Sequence, residues 1–481
     1  MPDTTHNFAR LPGFHRGLWM TLVALLIAGC STVPVRNPAA VPLPADFSDG
    51  GDVILPDHWW ESFGDPVLDG LVERALAQNF SLQSVWARLD QAAAVERIAR
   101  AELYPSLDIE GGAARSWSHN DRGTTANIFS MGAMAGYELD LWGRIDSRSQ
   151  AATLDRQAGE AELAAAAISL SAEVAGTWYQ LVEQYGQQAL VSSQLDTNTR
   201  VLELITLRFR RGKVGATDVL QQRQLVESNR GELANIESLI GVLVHRLAIL
   251  LGTAPDSRVT APQDELINLP PLPVTGIPAE LVQRRPELRQ GFYNLQAADQ
   301  RTAAAIADRF PRISLLGSSD SVADDVDDLF NNWLINLTGN LVAPVIDGGR
   351  RRAEVDRNRA LTEQSLSDYR QQLIDALGEV EDALLREQQQ RALIDSLDKQ
   401  QVLSKQVIGR VRDSYLYGAV DYLRVLDVLL TDQNLERTRL TAQRDLIDNR
   451  IALCRALAGG WTLERPVTAG TGTRITHVDP R

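Results

Sequence analysis

A single offset of 206 residues superimposes one half of the chain on the other: Tyr104-Pro105 falls on Phe310-Pro311, Gly143-Arg144 on Gly349-Arg350, and Glu173-Val174 on Glu379-Val380. Gly212 with Val214 falls on Gly418 with Val420, Val219-Leu220 on Val425-Leu426, and Leu251 on Leu457. An internal repeat constrains a fold more than any single motif, because whatever one half forms the other must form too. The register holds from about residue 71 to 251 without an apparent gap. Cys454 lies opposite Ala248, which suits a small buried apolar role. Between the halves, Pro270-Pro271-Leu272-Pro273 cannot continue a helix and marks an extended linker.

Each half switches from a helical period to a period of two and back. Val219, Val226, Leu233, Ile240 and Leu247 recur every seven residues, with Ile236, Leu243 and Leu250 on a second seam that polar Asn229 opens. That heptad pattern predicts a coiled-coil helix over 216–252. Residues 144–211 contain no proline and are dominated by Ala, Leu, Gln and Glu, which predicts one helix of roughly 100 Å. Residues 350–417 are the equivalent arm, with noisier and more charged heptads. Helices of that length need neighbours along their whole extent, or an apolar stripe stays in water.

Between the helices the alternation is that of strands. Phe129, Met131, Ala133, Ala135, Tyr137, Leu139 and Leu141 interleave with Ser130, Gly132, Met134, Gly136, Glu138 and Asp140, and only Met134 breaks the pattern. Trp333, Ile335, Leu337, Gly339 and Leu341 interleave with Leu334, Asn336, Thr338 and Asn340. Leu107, Ile109 and Gly111 alternate with Asp108, Glu110 and Gly112, and Ile313, Leu315 and Gly317 lie opposite them in the second half. Two hairpins follow, at 103–142 and 310–347, closed by polar loops at 118–127 and 318–332. Such strands suit a transmembrane barrel wall; a half-buried soluble sheet shares the pattern. Four strands cannot enclose a lumen, so a barrel requires oligomerisation, and three chains would supply twelve strands with no free edge.

The N-terminus is an address. His15 and Arg16 precede a short apolar run over 18–27, so residues 1–29 are expected to be a secretory signal peptide. Ala28-Gly29-Cys30 resembles the lipobox of bacterial lipoproteins, which would make Cys30 the acylated first residue, and the non-acidic Ser31 then favours the outer membrane. No later segment is expected to be a transmembrane helix, so membrane passage must use strands. Lys+Arg number 48 against 62 Asp+Glu, a net charge of −14, the wrong sign for a nucleic-acid partner. Aromatics are 6% while 44% of residues are hydrophobic, so the apolar content is largely aliphatic and suits closely approaching helices. Two cysteines without CxxC exclude a disulfide framework and cysteine zinc sites. HExxH, GxxxxGK(S/T) and GxSxG are absent; no catalytic residue, metal or cofactor is expected.

Local motifs then point to a family. Trp59-Trp60-Glu61-Ser62-Phe63-Gly64-Asp65-Pro66-Val67-Leu68 resembles the N-terminal WW…FGDPxL signature of TolC-type outer-membrane factors. Arg284-Arg285-Pro286-Glu287-Leu288-Arg289 resembles the element that opens their second repeat. Phe310-Pro311-Arg312-Ile313 and Pro344-Val345-Ile346-Asp347-Gly348-Gly349-Arg350 resemble their strand entry and strand-to-helix turn, whereas Leu139-Asp140-Leu141-Trp142-Gly143-Arg144 lacks the proline of its twin. The resemblance spans essentially the whole mature chain, and the lipobox places it nearer the acylated members that serve resistance-nodulation-division pumps.

That resemblance implies an α+β membrane protein with a two-fold internal repeat. Its trimeric 12-stranded β-barrel, four strands per chain, would continue into a long periplasmic α-helical barrel with a mixed equatorial collar. The divisions would be a lipidated segment at 30–65, a first repeat at 66–252, a linker at 253–276, a second repeat at 277–458 and a tail at 459–481. In each repeat the long arm would lie beside two shorter helices stacked end to end. The implied function is passive: the outer-membrane channel of a tripartite efflux system, carrying small toxic compounds. Implied partners are two further copies, a periplasmic adaptor, a resistance-nodulation-division pump in the inner membrane and outer-membrane lipid. The helical tips near 208–217 and 414–423 would dock the adaptor, with Arg208, Gly212, Val214 and Gly418 as contact candidates. Asp421 and Asp218 are gate candidates, where a threefold carboxylate ring would bind cations and resist anions. Arg208, Arg210 and Arg424 could pair across the closed tips; solvated tip charges, each worth under about 1 kcal/mol, are the plainer alternative. Trp117, Tyr137 and Trp333 are candidates for interfacial belts. Competing functions are a related channel for metal-ion or type I protein export, and a closed periplasmic coiled-coil lipoprotein. Only Met131 and Met134 follow the signal peptide, which weighs against copper or silver export.

Overall fold

The computed structural model describes residues 42–117, 125–255, 265–461, 463 and 465. The signal peptide and Cys30 lie outside the described residues, as do 118–124, 256–264 and most of the C-terminal tail.

Aromatic residues seat the start of the described chain. A 3-10 turn, Trp59–Phe63, buries Trp59, Trp60 and Phe63, with the Trp59 indole donating to Ser171 Oγ at 3.0 Å. Gly64 follows at φ 65°, and Asp65 accepts from the amides of Val67 and Leu68 at 3.0 and 3.2 Å. That cap, with proline in the first turn, starts α1 (Pro66–Gln78). The second Asp65 oxygen accepts from the Trp178 indole at 2.8 Å, so the aspartate also ties α1 to the long arm.

After α1 come α2 (Phe80–Ala101), β1 (Ser106–Trp117), β2 (Thr125–Leu139), the 67-residue α3 (Arg144–Arg210) and α4 (Ala216–Leu250). The second half supplies α5 (Pro278–Arg284), α6 (Pro286–Ala307), β3 (Arg312–Ala323), β4 (Leu334–Val342), the 67-residue α7 (Arg350–Leu416) and α8 (Tyr422–Leu457). The bounds of α2 and α6, of β1 and β3, and of α3 and α7 differ by 206 at both ends.

The strands form one antiparallel sheet in the order β1-β2-β3-β4. Its registers include Ile109↔Ala133, Ala133↔Ser319 and Ser319↔Ile335. Directly opposed residues share a face, so one face carries Leu107, Ile109, Phe129, Met131, Tyr137, Leu315, Ile335, Leu337 and Leu341. The other carries Asp108, Glu110, Ser130, Gly132, Glu138, Ser318, Asp320, Asn336, Thr338 and Asn340, with Ile128, Met134, Leu316, Val322, Leu334 and Val342 as its larger apolar members. β1 and β4 each pair on one side only and are exposed throughout. The hairpin loops are shorter than the polar composition suggested. Pairing of Trp117 with Thr125 starts β2 earlier and pairing of Phe129 with Ala323 carries β3 further, and the second loop holds a 3-10 turn at Val326–Asp328.

The short helices stack as expected. Asn79, at the start of α2, donates through Nδ2 to the Leu250 carbonyl at the end of α4, at 2.9 Å. Gly252 sits beside the joint at φ +70°, where a Cβ would fall 2.3 Å from the Gln78 carbonyl oxygen. The linker packs at this level, with Leu266, Ile267 and Leu269 against the main core. Val53 forms a parallel bridge with Pro273, and Arg450, 2% exposed, donates to the carbonyls of Pro270 and Pro271 at 2.9 and 3.0 Å. The same guanidinium pairs with Glu387, 1% exposed, at 2.6 Å. Cys454 is buried in the main core, as its place opposite Ala248 suggested, and burial pushes its thiol up to about 12.

Against the sequence expectation, one later helix, α4, is long and apolar enough to cross a membrane by composition. Its heptad seam instead packs on α3, closed by an Arg246–Glu173 ion pair at 3.1 Å.

Candidate functional site

The candidate site is built from the polar face of the sheet, the junction below it and the helical tips. The sheet's polar face gathers Asp108, Glu110, Glu138 and Asp320. At the junction, Trp142 stacks on Phe310 with centroids 4.9 Å apart and donates to the Pro311 carbonyl at 2.8 Å. Arg351 reaches Asp308 and Asp347 at 3.3 and 3.2 Å, and Arg144, nearly buried, pairs with Glu138 at 2.8 Å. These contacts hold two strand-to-helix turns at a fixed angle. Gly143 and Gly349, at φ 71° and 85°, permit the turns themselves.

At the far end the two helical hairpins turn at Gly212 and Gly418, with φ +68° and +75° and open space where a Cβ would stand. Between the hairpins, Ile205, Leu225, Tyr422 and Leu426 form a small buried cluster, and Val214 packs against it partly buried. The Tyr422 hydroxyl donates to Gln222 Oε1. Gln222, fully buried, donates in turn to the Asn198 carbonyl at 2.8 Å. Burial pushes the Tyr422 phenol well above its ordinary value. Arg208 lies over the Tyr415 ring at 4.7 Å, a cation–π contact from the α3 tip to the α7 tip.

Both candidate gate carboxylates sit at helix starts. Asp421, exposed, caps α8 by accepting from the Arg424 amide at 3.1 Å. Asp218, half-buried, accepts from the Gly215 amide at 3.2 Å in the first turn of α4. Arg424 pairs with Asp427 inside its own helix at 3.2 Å. Arg208 and Arg210 make no ion pair among the described residues. Thus the structure brings Arg208, Val214, Gly212 and Gly418 to one end of the molecule, together with both aspartates.

Above the tips, α3 and α8 meet along a buried polar seam. Gln187 donates to the Arg437 carbonyl at 3.1 Å and to Thr441 at 3.2 Å; Thr441 donates to Glu183 at 2.7 Å. Gln194 donates to the Gln433 carbonyl at 3.3 Å. Asn198 and Gln433 exchange amide hydrogen bonds at 3.3 and 3.4 Å. Beside the seam, Glu183, Gln187, Asn235, Arg437 and Thr441 line a cavity of about 610 Å³. A filter for apolar heptads passes over these residues. Their spacing, at 183, 187, 194 and 198, is the signal that could have found them, as is Gln222 one heptad before Asn229.

A chain with a two-faced sheet of open edges, joined to helical hairpins whose longer arms have 67 residues, has the make-up of an outer-membrane channel protomer. The sequence profile of the family described as "Outer membrane efflux protein" matches residues 71–253 and 277–459. The pyoverdine export outer membrane protein OpmQ of Pseudomonas aeruginosa is 31% identical over 94% of this chain and 98% of its own. The cation efflux system protein CusC of Escherichia coli is 30% identical over 91% and 98%. Among solved structures, CusC superimposes with a TM-score of 0.81 at 27% identity over 90% of this chain and all of its own. The outer-membrane channel OprN does so with 0.83 at 25% over the same shares. The chain belongs to the outer membrane efflux protein family. It is an outer-membrane efflux channel of the tripartite type, reaching into the periplasm. Its fold class is that of the family's trimeric channels: four strands per chain in a closed β-barrel that continues into an α-helical barrel.

Proposed function

We propose that three copies of this chain form a passive conduit for small molecules, loaded by a periplasmic adaptor and a resistance-nodulation-division pump. The observation that carries this reading is the pair of unmatched sheet edges. β1 and β4 leave a row of backbone donors and acceptors open at each side of a four-stranded sheet whose apolar face is exposed. In hydrocarbon those groups must be paired, and pairing β4 of one copy with β1 of the next in a ring of three satisfies all of them without a further element. The polar face then lines the lumen. No bond is broken on such a path, and energy comes from the pump.

The adaptor would dock at the tips through Arg208, Gly212, Val214 and Gly418, and the gate would use Asp421 and Asp218. Cys30 would carry the acyl anchor. The proximity of the two aspartates to both tip turns supports the gate assignment. Export of soft metal ions has less support: Met131 faces the apolar side of β2 and Met134 the polar side, so they make no pair.

Single-channel recording from the purified full-length protein in a planar bilayer tests the reading. Discrete conductance steps, enlarged in Asp421→Asn/Asp218→Asn protein, are expected. Absence of steps from a preparation that runs as an oligomer would overturn the conduit, and unchanged steps in the double variant would overturn the gate.

A further inference from the structure

One charged side chain stands on the apolar face of the sheet. Among the described strand residues, every Asp, Glu and other Arg lies on the opposite face, yet Arg115 shares the face of Leu107 and Ile109. It sits eight residues along β1 from Leu107. At about 3.3 Å per residue and a tilt near 40°, that is roughly 20 Å higher in the membrane. An outward apolar band is about 25 Å tall, so Arg115 stands at the rim farther from the helices, where the outer leaflet's headgroups begin.

Its surroundings on that face are donors. Arg115 is paired in register with Asn127, and Trp117 with Thr125. The Arg115 guanidinium lies 5.7 Å from the centroid of the Trp117 ring, which is 73% exposed. A guanidinium, an amide, an indole N–H and a hydroxyl therefore share one exposed patch, and none of the described strand residues on that face is a carboxylate. Aromatic support holds the guanidinium flat at the interface, and a planar fork of N–H groups matches a phosphate in two-point contact.

We propose that Arg115, Asn127, Trp117 and Thr125 form a docking patch for a phosphate-bearing lipid headgroup of the outer leaflet, one patch per copy. The patch rests on the closed barrel, which sets its face toward lipid. A lone cation at this depth is unfavourable in hydrocarbon and is stabilised by an anionic headgroup.

The test uses the full-length protein in detergent, with binding read by native mass spectrometry. The probes are a diphosphorylated glucosamine-disaccharide lipid, the same lipid without phosphate, and inorganic phosphate. Wild-type protein is expected to bind the diphosphorylated lipid at least ten-fold more tightly than the phosphate-free one. Arg115→Gln is expected to lose about ten-fold in affinity, with Arg115→Lys between the two. Conductance of all three proteins should match, which separates this patch from the conduit itself. Equal lipid binding by Arg115→Gln, or equal binding of the phosphate-free lipid, would overturn the proposal. So would competition by inorganic phosphate at the lipid's own concentration, which would mark a free-anion site. A lower oligomer melting temperature in Arg115→Gln with lipid binding intact would assign the guanidinium to the neighbouring copy instead.

Discussion

Arg450 and Glu387 are the most consequential single pair in the described chain. Both are essentially withdrawn from water, and the arginine also holds the linker through two proline carbonyls. Burial alone would raise the Glu387 carboxyl, but hydrogen bonds and charge from Arg450 and Arg391 hold it below its ordinary value of 4.5. A depressed folded value means that the unfolded chain binds the proton more readily. The stabilisation is therefore complete above about 4.5 and is lost as pH falls below it. Glu387→Gln leaves a buried guanidinium without its counter-charge, and a loss of about 3–5 kcal/mol is expected in denaturant titration at pH 7. The variant should also lose the acid-side slope that this carboxyl gives the wild type. Two glycines make a second contrast at this scale. Gly212→Ala meets only the strain of a left-handed backbone, about 1 kcal/mol, because nothing stands near its Cβ. Gly252→Ala adds a collision with the Gln78 carbonyl and is expected to cost more than twice as much, read as the difference in melting temperature between the two variants.

Among the elements, the strands test the assignment of faces. Leu337 is 86% exposed on the apolar face, and Thr338 lies next to it on the polar one. Leu337→Lys is expected to destabilise the inserted barrel by about 1–4 kcal/mol, the range for a lipid-facing cation between interface and midplane. Thr338→Lys should leave stability within about 0.5 kcal/mol and shift the reversal potential in a salt gradient toward anions. Equal effects of the two would refute the facing. At the tips, Asp421→Asn preserves a capping side chain and removes only charge, whereas Asp421→Ala also removes the cap, worth about 1 kcal/mol. Lower cation preference in both variants, with lower stability in the alanine alone, is the expected pattern. The strands were legible because alternation is short-range and strict, and α4 because Val226, Ile236, Leu247 and Leu250 fill its seam with apolar residues. The seam of α7 was harder to see. Its buried positions include Glu387, one heptad after Val380 in the series of Leu366 and Leu373, Thr362 between Val355 and Tyr369 in the second series, and Asn358 beside them, so a search for apolar recurrence finds gaps where the structure has contacts. The tips were legible as turns but not as a packed cluster. Tyr422 and Gln222 lie 200 residues apart, and their meeting depends on how the two hairpins lie together.

For the molecule as a whole, the expected oligomer follows from edges and stripes that one chain cannot cover. Alongside the open strands, α4 leaves Leu220, Leu239, Val242 and Ile249 exposed, and α7 leaves Leu385, Leu393 and Val402 exposed. Light scattering of the detergent-solubilised protein should report three chains. Leu239→Glu/Val242→Glu should lower that number without loss of helical circular dichroism, whereas persistence of the trimer would place those stripes elsewhere. The polar seam between α3 and α8 has a further consequence. Two greasy surfaces pulled apart in water rejoin indiscriminately, with each other or with whatever else is near. Amides and hydroxyls pulled apart are rehydrated at once, and each lost bond is replaced by one to solvent. Along the stretch held by Gln187, Gln194, Asn198 and Gln433 the two helices could therefore part and rejoin without exposing a sticky surface, and only the Ile205, Leu225, Tyr422 and Leu426 cluster at the tips would stay greasy.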